Sequence, residues 1–507
     1  MHKIRDGLFL AVPGIFATGV YLLMLPGQFS AANYGEDGGD LLAAAMTLGI
    51  PHPTGYPAYI LLLRFFLGLP GASSYWKGAL FSAITAGLAL ILLAFFVAYQ
   101  GNFSTHSKAS AVISSLALAF SPLFWSQAVI VEVQALQAVF VVLILGWIAL
   151  LEKGPGSSRA RIFLLFLALC GGLSLGNHLT ILFLFPLVAA AQINALKQGM
   201  PLRWFGWQAL TFVVGCLVLA YLPLAARNYP PVNWGNPQSA GGLAWLLSGA
   251  LYQNMVFGVS LLQFLERLGT LGKLLWDQFN LGIFGAVYGI VFFRSPPKIF
   301  RWGLAWVFLF SCTFYLTYNS RDSIVYLVPA WIVVSIWIGE GFATLLERIN
   351  FSFMVEKVIT ILLLIGLLIR IPLVWSSVNP ARDTITANYI AQILAKAPPD
   401  ALLVTISDYD TFPLWYGHFG ERQRKDLRVV VYPLTQFTWY QDTLRRIYPD
   451  LNFPAGQTDL GWGDELVRLN SARPVCRSAN PDNIQQHIQI SCRGAVIYTG
   501  DFSKNGN

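Results

Sequence analysis

The stretch YGEDGGDLLAAAMTLGIPHPTGYP, at residues 34–57, places acidic side chains directly after the first long apolar segment of the chain. Asp37 and Asp40 are three residues apart, so they share one face if the stretch is helical, whereas the glycines between them are equally typical of a tight loop. In either conformation the two carboxylates converge near the membrane surface. His52 follows further along, and its backbone is restricted by the prolines on both sides. A solvated capping loop and a catalytic loop both fit this spacing. The apolar run that leads to His52 favours the catalytic loop.

The composition is that of a protein with many membrane-spanning segments. Of the 507 residues, 55% are hydrophobic and only 11% are charged, whereas soluble globular proteins contain about 25% charged residues. A formal net charge of +8 is also found in proteins that bind nucleic acid, but here the basic residues lie between apolar segments. We therefore expect a lipid bilayer around the chain and no nucleic acid as its partner.

Apolar segments long enough to cross about 30 Å of hydrocarbon occur about eleven times. The first follows a basic N-terminus and has no convincing small-residue cleavage site, which predicts an uncleaved signal anchor. A further apolar run at 56–70 is short, contains Arg64 and is bracketed by prolines, so we expect it to lie in the membrane interface. The predicted spans are 8–25, 79–99, 109–125, 128–150, 161–176, 179–194, 208–226, 274–293, 302–318, 324–344 and 356–375.

The distribution of basic residues predicts the orientation of the chain. With a cytoplasmic N-terminus and 56–70 in the interface, Lys153 and Arg301 fall in cytoplasmic segments, whereas the short outer loops hold almost no basic residue except Arg321. This asymmetry is the positive-inside pattern. It predicts an integral protein of the cytoplasmic (plasma) membrane whose active site and C-terminal part are extracytoplasmic.

Beyond residue 379 the chain becomes more charged and its apolar runs become shorter. Segments of the kind found in buried strands are ALLVTIS at 401–407, LRVVVYPL at 427–434 and GAVIYTG at 494–500. We therefore divide the chain into a transmembrane catalytic module at 1–379 and a small extracytoplasmic α/β domain at 380–507. The outer loops of the first module are expected at about 26–78 and 227–273.

Other ionisable residues lie on the predicted outer side. Glu132 stands within an apolar run, where such residues usually face a polar cavity or a partner, although a purely structural role is the alternative. His178 lies between two spans and is equally explained by a structural role and by ligand binding. Arg227 and Arg370, at the ends of spans, either snorkel to the interface or bind a lipid phosphate through their planar guanidinium groups.

Aromatic and sulfur-containing residues add further candidates. Trp234 either stacks on a sugar or anchors its loop at the interface, which is the commoner role of tryptophan. Cys476 and Cys492 lie in the C-terminal domain and are candidates for a disulfide in an oxidising compartment. No group of His, Cys and carboxylates has metal-ligand spacing, so no required cofactor can be inferred. A divalent metal ion would need ligands from distant loops.

Several motifs resemble those of one known family and occur in the same order. The stretches DGGDLLAAA (37–45) and LGIPHPTGYP (48–57) are similar to the signature of membrane glycosyltransferases related to the plexin-domain protein O-mannosyltransferase. The bacterial members of that family were formerly a domain of unknown function. The resemblance continues at EVQALQ (132–137), GLSLGNHLT (172–180), YLPLAAR (221–227), NWGNP (233–237) and SDYDTFPLWY (407–416), and so covers nearly the whole chain.

The resemblance implies the GT-C fold and a reaction class. The expected architecture is an all-α polytopic bundle of about 11 transmembrane helices with a small C-terminal extracytoplasmic α/β domain. The implied enzyme transfers a sugar, mannose or a similar hexose, from a polyprenyl-phosphate donor to a hydroxyl acceptor, with inversion and on the outer face. The acceptor is a protein Ser or Thr, or a glycan hydroxyl.

The resemblance also implies roles for individual residues. Asp37 matches the first acidic position and is the implied catalytic base, and Asp40 stands where glutamate is usual. Thr54 replaces a proline, and Gln134 and Gln137 replace a tyrosine and an asparagine of the usual pattern. The candidate substrate-binding residues are His52, Tyr56, Glu132, His178, Arg227, Trp234, Asp322 and Arg370.

A transporter or flippase of lipid-linked saccharides is the alternative function. It also needs many spans and buried charges, but it predicts related halves or broken helices at matching positions. The sequence shows no such symmetry, and its ionisable residues cluster on the predicted outer side. The glycosyltransferase is therefore the favoured hypothesis.

Overall fold

Helices account for most of the chain up to residue 378 in the computed structural model. The structure describes residues 2–154, 157–292, 298–349, 353–456, 459, 461–479, 487–493 and 495–501. The helices up to residue 226 are α1 (His2–Leu22), α2 (Gly38–Thr47), α3 (Pro57–Leu67), α4 (Ser74–Gln100), α5 (Thr105–Ala119), α6 (Pro122–Ala128), α7 (Gln134–Lys153), α8 (Ser158–Ser174), α9 (Phe185–Lys197), α10 (Leu202–Cys216) and α11 (Tyr221–Ala226). They are followed by α12 (Ala240–Leu247), α13 (Leu261–Phe279), α14 (Gly282–Phe292), α15 (Lys298–Thr317), α16 (Val328–Ile349) and α17 (Phe353–Val378).

Within the described residues, seven helical segments are long and apolar enough to cross a membrane, or up to nine if each of two bent helix pairs is one span. The bent pairs are α5 with α6, at 72°, and α13 with α14, at 103°. The seven segments are Ser74–Gln100, Gln134–Lys153, Leu179–Lys197, Leu202–Ala226, Ile299–Thr317, Arg321–Ile349 and Met354–Lys396. The chain is thus an integral membrane protein, as predicted. The predicted count of about eleven spans is not confirmed, since α1 and α8 are not among these segments.

The apolar run at 56–70 forms only the short helix α3, of 11 residues. At 1.5 Å per residue it is about half as long as the hydrocarbon layer is thick. Arg64 in this helix donates a hydrogen bond of 2.9 Å to the carbonyl oxygen of Met46, at the end of α2. This length does not allow α3 to cross the membrane alone.

The glycines of residues 36–40, here called the acidic loop, allow close packing of α2. Asp37 has helical backbone angles and immediately precedes α2, so the helical alternative for this stretch is correct. A Cβ atom on Gly39 would lie 2.3 Å from the carbonyl oxygen of Phe412. Only glycine therefore permits α2 to approach the C-terminal part of the chain this closely.

The C-terminal part contains a small five-stranded sheet with the order β2-β1-β3-β4-β5. Its elements are α18 (Ile385–Lys396), β1 (Leu402–Thr405), α19 (Asp408–Trp415), β2 (Arg428–Val431), α20 (Thr438–Ile447), α21 (Gly461–Leu469), β3 (Val475–Ala479), β4 (His487–Cys492) and β5 (Ala495–Asp501). Strand β1 runs parallel to β2 and β3, whereas β3, β4 and β5 are antiparallel. A disulfide joins Cys476 to Cys492, which face each other in the β3–β4 register.

Candidate active site

A cavity of about 820 Å³ lies between the acidic loop, the ends of several spans and the start of α19. Asp37 and His52 line it from the first loop, and Asp322 from the turn before α16. The C-terminal part contributes Asp408 and Tyr409. Because ligand pockets measure about 300–1,000 Å³, this volume is sufficient for a substrate and makes the cavity the candidate active site.

Asp37 is the carboxylate best placed to accept a proton in this cavity. Its side chain is 27% exposed, and its Oδ2 lies 3.6 Å from Nε2 of His52. Burial raises the pKa of Asp37 and the charge of His52 lowers it, and the net result is an increase to about 6. At neutral pH the group is therefore mostly ionised, yet more basic than an ordinary aspartate, as a general base should be.

Asp40 is fully buried and is not part of the cavity wall. Its Oδ2 accepts hydrogen bonds of 2.7 Å from the backbone N–H and from Nδ1–H of His52. Its Oδ1 accepts a hydrogen bond of 3.2 Å from Nε1–H of Trp234. Because donors occupy both oxygens, we infer that Asp40 orients His52 and does not itself contact the substrate.

The hydrogen bonds around His52 fit a charged imidazolium. Its Nδ1–H donates to Asp40, and its Nε2 lies 3.0 Å from the hydroxyl oxygen of Tyr56. That hydroxyl donates its proton to the carbonyl oxygen of Pro53 at 3.0 Å, so its oxygen accepts a hydrogen bond from His52. Although burial lowers the pKa of His52, the charge of Asp37 and the hydrogen bond to Asp40 outweigh it and raise the pKa to about 10. His52 is thus a fixed positive charge between two aspartates.

Backbone geometry fixes the position of His52 as well. The turn after it needs a left-handed residue at Gly55, where φ is +85°. A parallel bridge joins Ile50 to Asn233, and the N–H of Trp234 donates to the carbonyl oxygen of Ile50 at 3.2 Å. This bridge brings Trp234 to the aspartate that orients His52.

Glu36 and Glu132 hold their protons more tightly than Asp37 does. Burial and the neighbouring Asp37 raise the pKa of Glu36 to about 8 and raise the pKa of Glu132 well above its ordinary value. Both residues line the cavity, and in each the buried Oε2 has no hydrogen-bond partner among the described residues. Protonated carboxyl groups donate hydrogen bonds, so both can bind an acceptor atom of a ligand.

Asp408 brings the C-terminal domain into the site. It is the first residue of α19, which follows the carboxyl end of β1. It lines the cavity, and desolvation of its carboxyl group together with the charge of Asp37 raises its pKa to about 7. Two carboxyl groups of the cavity, at Asp37 and Asp408, therefore titrate near neutrality.

The arginines of the cavity are Arg267 and Arg321. Arg267 donates hydrogen bonds of 3.0 Å and 2.6 Å to the carbonyl oxygens of Tyr315 and Tyr318, and so holds the end of α15. Arg321 donates one of 2.7 Å to the hydroxyl of Tyr409. A guanidinium group has five N–H donors, and no carboxylate of the described chain forms an ion pair with Arg321. This arginine is the cation best suited to an anionic ligand.

His178 and Tyr56 stack in the wall of the cavity, with ring centroids 5.9 Å apart. The backbone N–H of Thr180 donates to Nδ1 of His178 at 3.2 Å, which leaves the proton of the neutral ring on Nε2. Burial, with a smaller effect from His52, lowers the pKa of His178 to about 4. His178 thus caps a turn and also lines the cavity as a neutral ring, and its role in ligand binding stays a prediction.

The structure does not bring Arg227, Arg370 or Trp234 to the wall of this cavity. Arg227 is exposed at the end of α11. Arg370 is buried and donates hydrogen bonds to the carbonyl oxygens of Phe120, after the end of α5, and Asp277, in the last turn of α13. It also donates to the side chain of Asn280, at the break between α13 and α14. Because breaks leave helix carbonyls without partners, Arg370 compensates for them, a role that the sequence analysis did not consider.

Sequence reasoning missed Glu36, Arg267, Arg321 and Asp408 as residues of the cavity. Glu36 and Arg321 are adjacent to predicted residues, and Asp408 lies in the SDYD motif that carried part of the resemblance. Arg267 has no such signal, because α13 reaches the cavity only through the tertiary fold.

Two family models match separate regions of the chain. The family model described as the Protein O-mannosyl-transferase TMEM260 N-terminal domain matches residues 37–198. The model described as TMEM260-associated domain 2 matches residues 386–454. Protein O-mannosyl-transferase TMEM260 of Mus musculus is 24% identical over 483 residues, or 89% of this chain and 66% of the mouse protein. The chain therefore spans just under two thirds of that relative's length.

Solved structures show the fold. ArnT from Cupriavidus metallidurans bound to undecaprenyl phosphate matches with a TM-score of 0.61 at 14% identity, covering 99% of this chain and 98% of ArnT. The Archaeoglobus fulgidus oligosaccharyltransferase, in complex with Zn and sulfate, matches with a TM-score of 0.52 at 11% identity, covering 94% of this chain and 68% of that protein. In sequence this chain resembles the O-mannosyltransferase TMEM260, and its fold is the GT-C fold. The resemblance and the fold class predicted from its motifs are thereby confirmed.

The two matched regions of this chain meet in the cavity. The first begins at Asp37 and includes His52, Glu132 and His178, and the second includes Asp408. Arg321 lies between the two matched regions. The family and fold similarities support a membrane glycosyltransferase.

Proposed function

We propose that this protein is a membrane glycosyltransferase that transfers a hexose, most simply mannose, from a polyprenyl-phosphate donor to a hydroxyl acceptor outside the cytoplasm. The amphiphilic character of the cavity carries the proposal. Asp37 and Arg321 provide charge, whereas Phe183 and Phe314, from two membrane-spanning segments, provide apolar surface in the same cavity. A lipid-linked sugar phosphate needs both kinds of surface at one place, next to the bilayer.

The relatives support the donor and the sugar. The mouse relative is named a protein O-mannosyl-transferase, which favours mannose and a protein acceptor. ArnT is a structural neighbour that was crystallised with undecaprenyl phosphate, which favours a polyprenyl-phosphate carrier. The acceptor is then a Ser or Thr hydroxyl, with a glycan hydroxyl as the alternative.

The reaction is a single displacement at the anomeric carbon. The acceptor oxygen forms a bond to that carbon while the bond to the phosphate oxygen breaks, and the proton of the acceptor hydroxyl passes to Asp37. The polyprenyl phosphate leaves with the electron pair of the broken bond, and the anomeric configuration is inverted. Arg321 and the imidazolium of His52 offset the negative charge of the leaving phosphate, which is electrostatic stabilisation by groups that are already in place.

The test uses purified full-length protein with synthetic polyprenyl-phosphate [³H]mannose and a mixture of Ser/Thr-containing acceptor proteins. We expect radiolabel in a new alkali-sensitive glycosidic bond of inverted configuration. Reconstitution in vesicles separates this activity from the alternative function. Movement of the intact lipid-linked sugar across the bilayer without a new glycosidic bond would identify a flippase and contradict the proposal.

A further inference from the structure

A second cavity, of about 360 Å³, lies beside the first. The two cavities share Tyr252, Asp408 and Tyr409 in their walls. The second cavity lies at the carboxyl ends of the parallel strands β1 and β2, because Ile406 follows β1 and Val431 ends β2. Open α/β sheets bind ligands at this end of their strands, so the position suits a second substrate.

Apart from Tyr252, Asp408 and Tyr409, where it joins the first cavity, the wall of the second cavity is poor in available polar groups. Apolar side chains such as those of Leu251, Leu434 and Phe437 form most of it. The hydroxyl of Ser407 donates to Asp410 at 3.1 Å, and the amide of Gln436 donates to Pro433 at 2.7 Å. A buried sugar needs partners for each of its hydroxyl groups, and this wall does not supply them.

A lipid chain does not fit the position either. The lining residues belong to the loop regions around Trp234 and Tyr252 and to the sheet domain, and none lies in a segment that can cross the membrane. An acyl or prenyl chain would have to leave the bilayer to enter. An apolar side chain of a polypeptide reaches the cavity from the aqueous side and needs no polar partner.

We propose that the second cavity binds the apolar side chain of a polypeptide acceptor next to the Ser or Thr that receives the sugar. The inference rests on the proposed glycosyl transfer and adds an acceptor class and its binding site. Asp408, at the junction of the two cavities, is the positioning residue that accepts a hydrogen bond from the acceptor and directs its hydroxyl towards Asp37. This makes the residue beside the acceptor hydroxyl a determinant of specificity.

The test compares two peptides that differ only in the residue before a single threonine, which is leucine in one and serine in the other. The full-length protein and synthetic polyprenyl-phosphate mannose are used for both. Burial of one leucine side chain corresponds to about 10–100-fold in an equilibrium constant. We therefore expect kcat/KM of the wild type to be at least about tenfold higher for the leucine peptide, mainly through KM.

Leu251→Trp fills the second cavity and should reduce the preference for the leucine peptide to less than about threefold, since the burial gain is lost. Leu261→Trp is the matched control, because Leu261 is 76% exposed and lines neither cavity. This variant should keep the preference. Donor binding without peptide reports whether each variant is folded. If Leu251→Trp does not fold, Phe437→Ala enlarges the cavity instead and should shift the preference towards a tryptophan-containing peptide.

Equal use of both peptides by the wild type, or an unchanged preference in the cavity variant, would overturn this inference while leaving glycosyl transfer intact. Preferential use of a glycan acceptor that is lost in Leu251→Trp would overturn the polypeptide class. A wild type that consumes no donor with any acceptor would overturn the proposed function itself. Because that result is seen before any variant is made, the two failures are distinguishable.

Discussion

Replacing Asp37 by asparagine tests the catalytic centre most directly. The substitution keeps the shape of the side chain and removes its proton affinity. It also removes the negative charge that lies 3.6 Å from His52, so the imidazolium remains with Asp40 as its nearest carboxylate. Donor binding should therefore be retained or slightly strengthened, because His52 is then freer to attract the phosphate.

The expected loss follows from the role of a general base. Such a group contributes about 10²–10⁴ to the rate, which is about 2.7–5.4 kcal/mol of activation free energy. The wild-type rate should also depend on pH through this group. With a pKa near 6 for Asp37, kcat/KM should fall about tenfold per pH unit below 6 and level off above it. Asp37→Asn should lose this acidic limb together with most of the rate.

The assay measures initial rates of transfer from polyprenyl-phosphate mannose between pH 4.5 and 8, an interval of about two units around the expected midpoint. Glu36→Gln is the matched control, because Glu36 lines the same cavity but has a pKa of about 8 and is already neutral at pH 7. It should change the rate less than about tenfold. Near-wild-type turnover of Asp37→Asn, with the pH profile unchanged, would refute the assignment and direct attention to Asp408.

Three further outcomes are expected. Asp40→Asn should lower the free energy of unfolding by about 3–5 kcal/mol, because it leaves the buried charge of His52 without its closest partner. A melting temperature equal to that of the wild type would contradict this role. Arg321→Ala should raise KM for the donor about tenfold or more, as expected for one lost charge-assisted hydrogen bond. Arg227 is exposed, so Arg227→Ala should change KM for the donor less than about twofold. Cys476→Ser opens the loop that the disulfide closes, which has a sequence separation of 16 residues, and should lower the free energy of unfolding by about 3 kcal/mol. Free thiols at these positions in non-reduced peptides of the wild type would contradict the pairing.

Local pattern predicted the parts of this molecule that depend on near neighbours in the sequence. The acidic pair, the proline-flanked His52 and the buried strands near 401 and 427 are properties of short stretches, so they are visible before folding. The number of spans was harder to predict, because α1 and α8 are not among the spanning segments of the described chain and because α5–α6 and α13–α14 are bent pairs. Hydropathy alone does not register a bend, since a bent pair and a straight span share the same composition.

The functions of the charged residues depend on distant partners, and there the sequence offered only alternatives. By their spacing alone Asp37 and Asp40 look equivalent, and only the family resemblance singled out Asp37 as the base. In the structure Asp37 lines the cavity, whereas the oxygens of Asp40 accept hydrogen bonds from His52 and Trp234. The difference arises because Trp234 donates a hydrogen bond to Asp40, from which it is 194 residues distant in the sequence. The separation of roles has a chemical consequence. A carboxylate that held His52 and also served as the base would lose its hydrogen bonds whenever it took a proton, so division between two aspartates lets the positive charge stay fixed while the base titrates.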